Sequence, residues 1–232
     1  MAGGARPPLD DGRIVRAAVA VADAEGIDAV SMRRVASSVG AGAMSLYRHF
    51  SGKDELLDRM LDAAYAGIRV PDRPSGDWRA DLSALFAETR SALARHPWVA
   101  SLLPRRPLFG TAYLRWFEFS LAALEPTGLP LRAKVRVLGT VGAFMAGFAA
   151  YERGEAESAR RHRLSQRQKR EVATSRLQPL LATGRFPNLA LFVSHGTDAA
   201  TDADFRFGLG CVLDGVASSL RERRPGRRRA SR

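Results

Sequence analysis

SMRRVASSVGAGAMSLYRHFSGKDELL, residues 31–57, contains two short apolar-faced segments joined by a glycine turn. Ser31 is a natural N-cap for a helix carrying Met32, Val35 and Ala36 on one side. Two short helices that cross steeply need a small residue where they meet, and Ala36 supplies it. The turn needs a residue that tolerates positive φ, and Gly40 supplies that. The next helix, running to about Phe50, needs an inward apolar anchor, which is Leu46. Each feature is weak alone. Together they spell a helix-turn-helix, a unit that lays its second helix in the major groove of DNA.

The flanking sequence fits a helical domain around that unit. Ile14, Ala17, Ala18 and Val21 make the apolar face of a helix over about 11–25, and Gly26 suits a left-handed C-terminal position. Ser51-Gly52-Lys53-Asp54 resembles a capping box opening a helix with Leu56, Leu57, Met60, Leu61 and Ala64 on its face. VPDRPSGD, residues 70–77, has two prolines and a glycine and marks a linker. Longer helices are expected over about 78–95, 108–124, 131–153 and 202–223, with two short ones near 174–183 and 187–194. The charged stretch 152–171 reads as a solvated helix or a mobile loop. No alternating strand pattern appears. The expected fold is all-α: a flexible arm (1–12), a three-helix helix-turn-helix domain (13–68), a helical bundle for ligand binding and dimerisation (77–223), and a basic tail (224–232).

The chain has 232 residues, of which 46% are apolar, enough for a globular core. Its net charge of +12 suggests an anionic partner. That excess is not on the helix-turn-helix: residues 1–70 hold 9 Lys/Arg and 9 Asp/Glu, whereas the tail from Arg221 holds 7 Arg against Glu222. The tail is a solvated run or an auxiliary phosphate contact. The single cysteine, Cys211, lies among apolar neighbours and is expected in the core. MAGGARPPLDDG carries an acidic pair where a secretory signal needs an apolar stretch, so a cytoplasmic, nucleoid-associated protein is expected. The longest apolar run, residues 137–150, is shorter than the roughly 20 residues of a membrane span, so it reads as a buried helix. The histidines are scattered, and no nucleophile, paired-carboxylate or metal-ligand spacing appears. No enzyme, metal site or cofactor is expected.

Residues 13–65 resemble the DNA-binding domain of the TetR/AcrR family of transcriptional regulators. The matching positions are Ser31, Val35-Ala36, Val39-Gly40, Leu46-Tyr47, His49-Phe50, Lys53 and Leu56-Leu57. The resemblance implies an all-helical homodimer that binds a palindromic operator and represses until a small molecule releases it. It places Ser31, Tyr47, His49 and Lys53 at phosphate-contacting positions and Arg33 where a guanine is read. Ala43 stands where the tetracycline repressor has a polar amide, and Met44 where it has proline. Ala43 and Met44 suit thymine methyls, and Ser45 can bond to either base type. Arg33 is thus expected to dominate hydrogen-bonded readout. An activator of the same family and a sequence-nonspecific basic DNA-binding protein are the alternatives.

The later chain is similar, more loosely, to the tetracycline-repressor C-terminal domain, through Asp77-Trp78, His96, Arg106-Pro107, residues 134–150 and FRFGLGCVLDGVASSL (205–220). Aromatic residues at helical spacing, with few polar groups, suit core or a ligand pocket between helices. The candidate lining is Trp98, Leu102, Trp116, Phe119, Phe144 and Phe148, with Thr89, Arg106 and Glu118 as polar groups. The metal-binding histidine of the tetracycline repressor falls near Leu102 or Leu103, and one of its drug-binding asparagines near Leu85. A small lipophilic effector is therefore expected in place of a magnesium–tetracycline complex. For dimerisation, residues 131–150 and 203–221 are expected to pair across a two-fold axis. Phe205, Leu209, Val212, Val216 and Leu220 form the seam, and the glycines of both helices allow close approach.

Overall fold

The structure is a computed structural model and describes residues 8–102, 110–162, 166–195 and 201–222. The described residues form helices α1 (Asp11–Glu25), α2 (Met32–Val39), α3 (Ala43–Leu46), α4 (Lys53–Ala66), α5 (Trp78–Arg95), α6 (Val99–Leu102), α7 (Thr111–Ala123), α8 (Leu131–His162), α9 (Gln166–Leu181), α10 (Pro187–His195) and α11 (Asp202–Glu222). No strand occurs among them. The arm before Pro8 and the basic tail lie outside the described residues, as do Leu103 and Arg106.

The first domain packs α1 against α2 and α4, closing a core of Ile14, Ala18, Val35, Leu46, Phe50 and Leu56. Its caps follow local chemistry. The Asp10 carboxylate accepts from the Arg13 N–H at 2.7 Å and starts α1. The Ser31 hydroxyl accepts from the Arg34 N–H at 3.1 Å and starts α2. Two expected end signals differ. Gly26 has φ 88° and ψ 163°, a positive-φ extended geometry and not a left-handed helical one, because the chain there straightens into a short 3₁₀ turn. At α4 the N-cap is Gly52; the Glu55 carboxylate binds back to the Ser51 N–H and hydroxyl, so Glu55 rather than Asp54 closes that turn.

In the second domain α5 lies against α4, α7, α8 and α11. Arg90 on α5 ties the bundle together. It donates to Glu152 on α8 and Asp202 on α11, and its guanidinium lies 5.2 and 4.9 Å from the Phe148 and Phe205 rings. The stretch 152–171 is helical wherever it is described. Arginine, glutamate and alanine favour helix, and Arg153 and Glu157 pair one turn apart. α8 is longer than expected, and its Leu131–Glu155 portion is apolar and long enough to cross a membrane by length and composition. Leu138, Val141 and Met145 pack inward from it, the pattern of a bundle helix.

Candidate nucleic-acid interface and effector core

Gly40 ends α2 in the left-handed region, with φ 69° and ψ 35°, and the Ala41 N–H reaches back to the Ala36 carbonyl at 2.9 Å. Val35, Ala36, Val39, Leu46 and Phe50 are buried beneath the pair of helices. α3 is shorter than the sequence suggests. It ends at Leu46, and the chain reaches Phe50 through turns in which the His49 and Phe50 N–H groups share the Leu46 carbonyl. Buried Leu46 and Phe50 therefore bracket an outward segment. On that outer side Met44 is 77% exposed, Tyr47 and Lys53 are exposed, and Ala43, Ser45 and His49 are half-buried.

The electrostatics explain how a neutral domain presents a basic edge. Arg34 pairs with Glu25, which holds that carboxyl below its ordinary range and commits the guanidinium. The Glu55 carboxyl is likewise held low by the Ser51 N–H and hydroxyl. Asp11 binds His49 Nδ1 at 2.7 Å. With these carboxylates engaged, Arg33, Arg48 and Lys53 remain exposed and without an ion pair among the described residues. Of two adjacent arginines, the fold ties back Arg34 and leaves Arg33 exposed. Ser31, also expected at a phosphate, spends one lone pair on its cap.

The residues expected to line one effector pocket fall in three places. Trp116 and Phe119 are buried on α7, and the Trp116 Nε1–H donates to the Thr89 hydroxyl at 3.0 Å; that hydroxyl donates in turn to the Leu85 carbonyl. Phe144 and Phe148 pack instead with Phe205. Trp98 leaves both groups: its Nε1–H donates to Asp23 on α1 at 2.7 Å, and His96 Nδ1 meets the same carboxylate at 2.9 Å. Leu102 is half-buried beyond it. Glu118 is exposed, because it lies about 200° around α7 from Trp116, so it does not line the aromatic core.

Sequence reasoning missed Tyr65. It reaches from α4 into the second domain, sits 5% exposed, and makes edge-on contacts with Tyr113 and Trp116. Burial pushes its phenol well above the ordinary value, so it stays protonated. No partner for its hydroxyl occurs among the described residues. It borders a void of about 10 Å³ lined by Thr89, Leu93 and Val99. A buried tyrosine hydroxyl normally has a partner, so the lack of one among the described residues singles this position out. Asp62 and Asp23, which join the two domains, were equally invisible, since their partners lie 50 to 75 residues away.

The expected dimer seam is corrected in part. Phe205 and Leu209 are 2% and 4% exposed within one protomer and pack inward with Leu213. Val212, Val216 and Leu220 instead line a groove of about 460 Å³ between α8 and α11, with Val137 opposite. Cys211 faces this groove and is exposed, because inward-facing Leu209 and Leu213 turn it outward. Gly208 serves packing inside the protomer: a Cβ there would come within 2.6 Å of the Phe144 ring. Among the described residues no three His, Cys, Asp or Glu side chains are placed to hold a metal.

Comparison with known proteins gives the same two-part division. Residues 14–60 match the family described as "Bacterial regulatory proteins, tetR family", and residues 70–220 match "Tetracyclin repressor-like, C-terminal domain". The HTH-type transcriptional repressor DrrR1 of Streptomyces coeruleorubidus is 37% identical over 222 residues, covering 95% of this chain and 82% of the relative. An HTH-type transcriptional regulator of Saccharopolyspora erythraea is 42% identical over 134 residues, 58% of this chain and 56% of the relative. Among solved structures, apo ActR from Streptomyces coelicolor is similar with a TM-score of 0.74 at 28% identity, covering 94% of this chain and 99% of that one. The complex of ActR with actinorhodin also gives 0.74 at 28% identity, covering 92% and 99%.

Proposed function

The chain belongs to the tetR family of bacterial regulatory proteins, and from that premise we propose that it is a cytoplasmic repressor released from a two-fold symmetric operator by a small lipophilic molecule. The observation that carries this reading is one helix with two ends. α4 holds exposed Lys53 at the basic edge and buried Tyr65 in the aromatic core of the second domain. Those residues are 12 apart, so the helix carries a displacement over about 18 Å.

On the DNA side, Tyr47, His49, Lys53 and the Ser31 hydroxyl take phosphate oxygens, which fix register. Arg33 reads a guanine O6/N7 edge, and Ala43, Met44 and Ser45 set the fit against neighbouring bases. A protein needs two such surfaces to read a palindrome, and the apolar α8–α11 groove supplies the pairing face for a second copy. Leu131, Val135 and Phe207 are exposed on these same helices, which a partner copy would cover.

On the effector side, the Tyr65 hydroxyl offers a hydrogen bond to a ligand oxygen seated among Phe86, Tyr113 and Trp116. DrrR1 is named a repressor, which supports repression, and ActR has been crystallised with actinorhodin, which supports a small-molecule effector. Beside Tyr65 the packing leaves a void of only about 10 Å³, lined otherwise by aliphatic residues and Thr89. Admitting such a molecule moves Tyr65 and α4, and the ligand shifts the population by its affinity difference between the two arrangements. The test is fluorescence anisotropy of an operator duplex with aromatic polyketides titrated in. Saturable release by one compound supports the reading, and full occupancy of the protein without release refutes it. Tetracycline with magnesium is expected to leave the fluorescence of Trp98 and Trp116 flat.

A further inference from the structure

We infer that Asp11 is a positioning residue for operator binding, committing the Nδ1 side of His49 so that a phosphate contact at Nε2 requires the protein to take up a proton when it binds DNA. The inference rests on the reading that His49 contacts a phosphate. Its own observation is the 2.7 Å contact between Asp11 Oδ1 and His49 Nδ1. Asp11 stands in the first turn of α1 beside the capping residue Asp10, yet its carboxylate does not cap. It lies 61% exposed and reaches 38 residues along the chain to the imidazole.

A carboxylate at a DNA-facing edge repels phosphate, so its presence there needs a reason. The proton inventory of imidazole supplies one. Neutral imidazole has a single N–H. Asp11 accepts that hydrogen at Nδ1, which leaves a bare lone pair at Nε2. A lone pair cannot donate to a phosphate oxygen. Satisfying two anionic acceptors, one on each nitrogen, requires both ring nitrogens to carry hydrogen, so the ring must be charged. The added proton comes from water, and the complex holds one more proton per His49 than the free chain does when its imidazole is neutral.

The surrounding charges are consistent with Asp11 as the controlling partner. On α4, Glu55 lies near both Asp11 and Arg59, and Arg48 adjoins His49 in the chain. Glu55 is occupied by Ser51 at 2.7 and 2.8 Å, and Asp10 by the Arg13 N–H. Lys53 and Arg48 are exposed.

The sign follows from linkage. The bound state carries more protons, so affinity rises as pH falls and drops as pH rises. One coupled proton gives up to tenfold per pH unit, and two per dimer give up to a hundredfold. The experiment measures dissociation constants by anisotropy at pH 6, 7 and 8 and fixed salt, using a duplex the protein itself selects from random DNA. Wild type is expected to weaken at least tenfold from pH 6 to pH 8. His49→Gln, which keeps every other histidine, is expected to bind more weakly than wild type at pH 6 with little pH dependence. Asp11→Asn keeps an acceptor at Nδ1 but removes its charge. It is expected to bind more weakly than wild type at pH 7 although the protein has become more positive. The inference is overturned if Asp11→Asn binds more tightly at every pH, because Asp11 then merely competes with phosphate. It is also overturned if His49→Gln weakens binding but keeps the wild-type pH slope. If His49→Gln binds like wild type throughout, the phosphate contact itself is wrong and the inference falls with it.

Discussion

Asp62, near the end of α4, caps a helix of the other domain: its Oδ1 accepts from the backbone N–H of Ala112 at 2.8 Å and of Tyr113 at 3.2 Å. The negative carboxylate meets the positive end of α7, so the DNA-binding domain and the effector domain share a polar joint. Gly110 makes the approach possible, since a Cβ there would fall 2.1 Å from the same oxygen.

This joint predicts a coupled pair of substitutions. Asp62→Ala removes the cap and is expected to cost about 1 kcal/mol. Gly110→Ala forces the carboxylate aside and is expected to cost about 1–3 kcal/mol. In the Asp62→Ala background the carboxylate is gone and only the Cβ of residue 62 remains, 2.5 Å from the added Cβ, so the cost of the glycine substitution shrinks without vanishing. Urea unfolding of the two single variants and the double variant measures this. Fully additive costs would show that the joint is not shared.

A second prediction concerns the bond that closes the aromatic core. Thr89→Val leaves the buried Trp116 Nε1–H without an acceptor and is expected to destabilise the protein by about 1–3 kcal/mol. Thr89→Ser restores an oxygen at the same place and recovers most of the loss. Thermal unfolding followed by tryptophan emission distinguishes the two. A loss in Thr89→Ser with none in Thr89→Val would mean that the threonine methyl, not its hydroxyl, matters.

The interdomain clamp at Asp23 gives a third. Asp23→Ala strips the acceptor from both Trp98 and His96, beside an open cleft of about 700 Å³ between α1 and the second domain. We expect a loss of about 1–3 kcal/mol and a red-shifted Trp98 emission as water reaches the indole. An unshifted spectrum would place the indole elsewhere.

How much of this was legible differs from element to element, and the reasons are physical. The helix-turn-helix is legible because its constraints are local: Ala36, Gly40 and Leu46 act within eleven residues of one another. The seam of α11 is not. Phe205, Phe207, Leu209, Val212, Leu213, Val216 and Leu220 wrap most of its circumference, so periodicity fails to say which stripe turns inward. The fold buries 205, 209 and 213 and leaves 212, 216 and 220 at the groove. Asp11, Asp23, Asp62 and Tyr65 look like ordinary helix residues in sequence. Their importance comes from partners on distant elements, which no local pattern encodes. Arg33 is set apart from Arg34 in sequence only by the family resemblance, and the Glu25 pairing of Arg34 is what separates them in the fold.

Tyr65→Phe carries the fourth prediction. Removing a buried hydroxyl that has no partner among the described residues is expected to leave stability and operator affinity unchanged, or to raise stability by a few tenths of a kcal/mol. The concentration of whichever compound releases wild type should rise about tenfold, equivalent to one lost hydrogen bond of about 1.4 kcal/mol. Unaltered sensitivity would remove Tyr65 from the effector site.

The central claim is that this chain reads a specific two-fold symmetric DNA sequence, with Arg33 as its principal reader. The most direct measurement is selection of bound duplexes from a random pool, by wild type and by Arg33→Ala in parallel. Wild type should enrich a palindrome with a conserved G·C pair in each half-site, and Arg33→Ala should lose about 1–3 kcal/mol of discrimination at that pair alone. No enriched sequence, together with binding that falls steeply with salt on every duplex, would contradict it and leave a sequence-nonspecific basic DNA-binding protein.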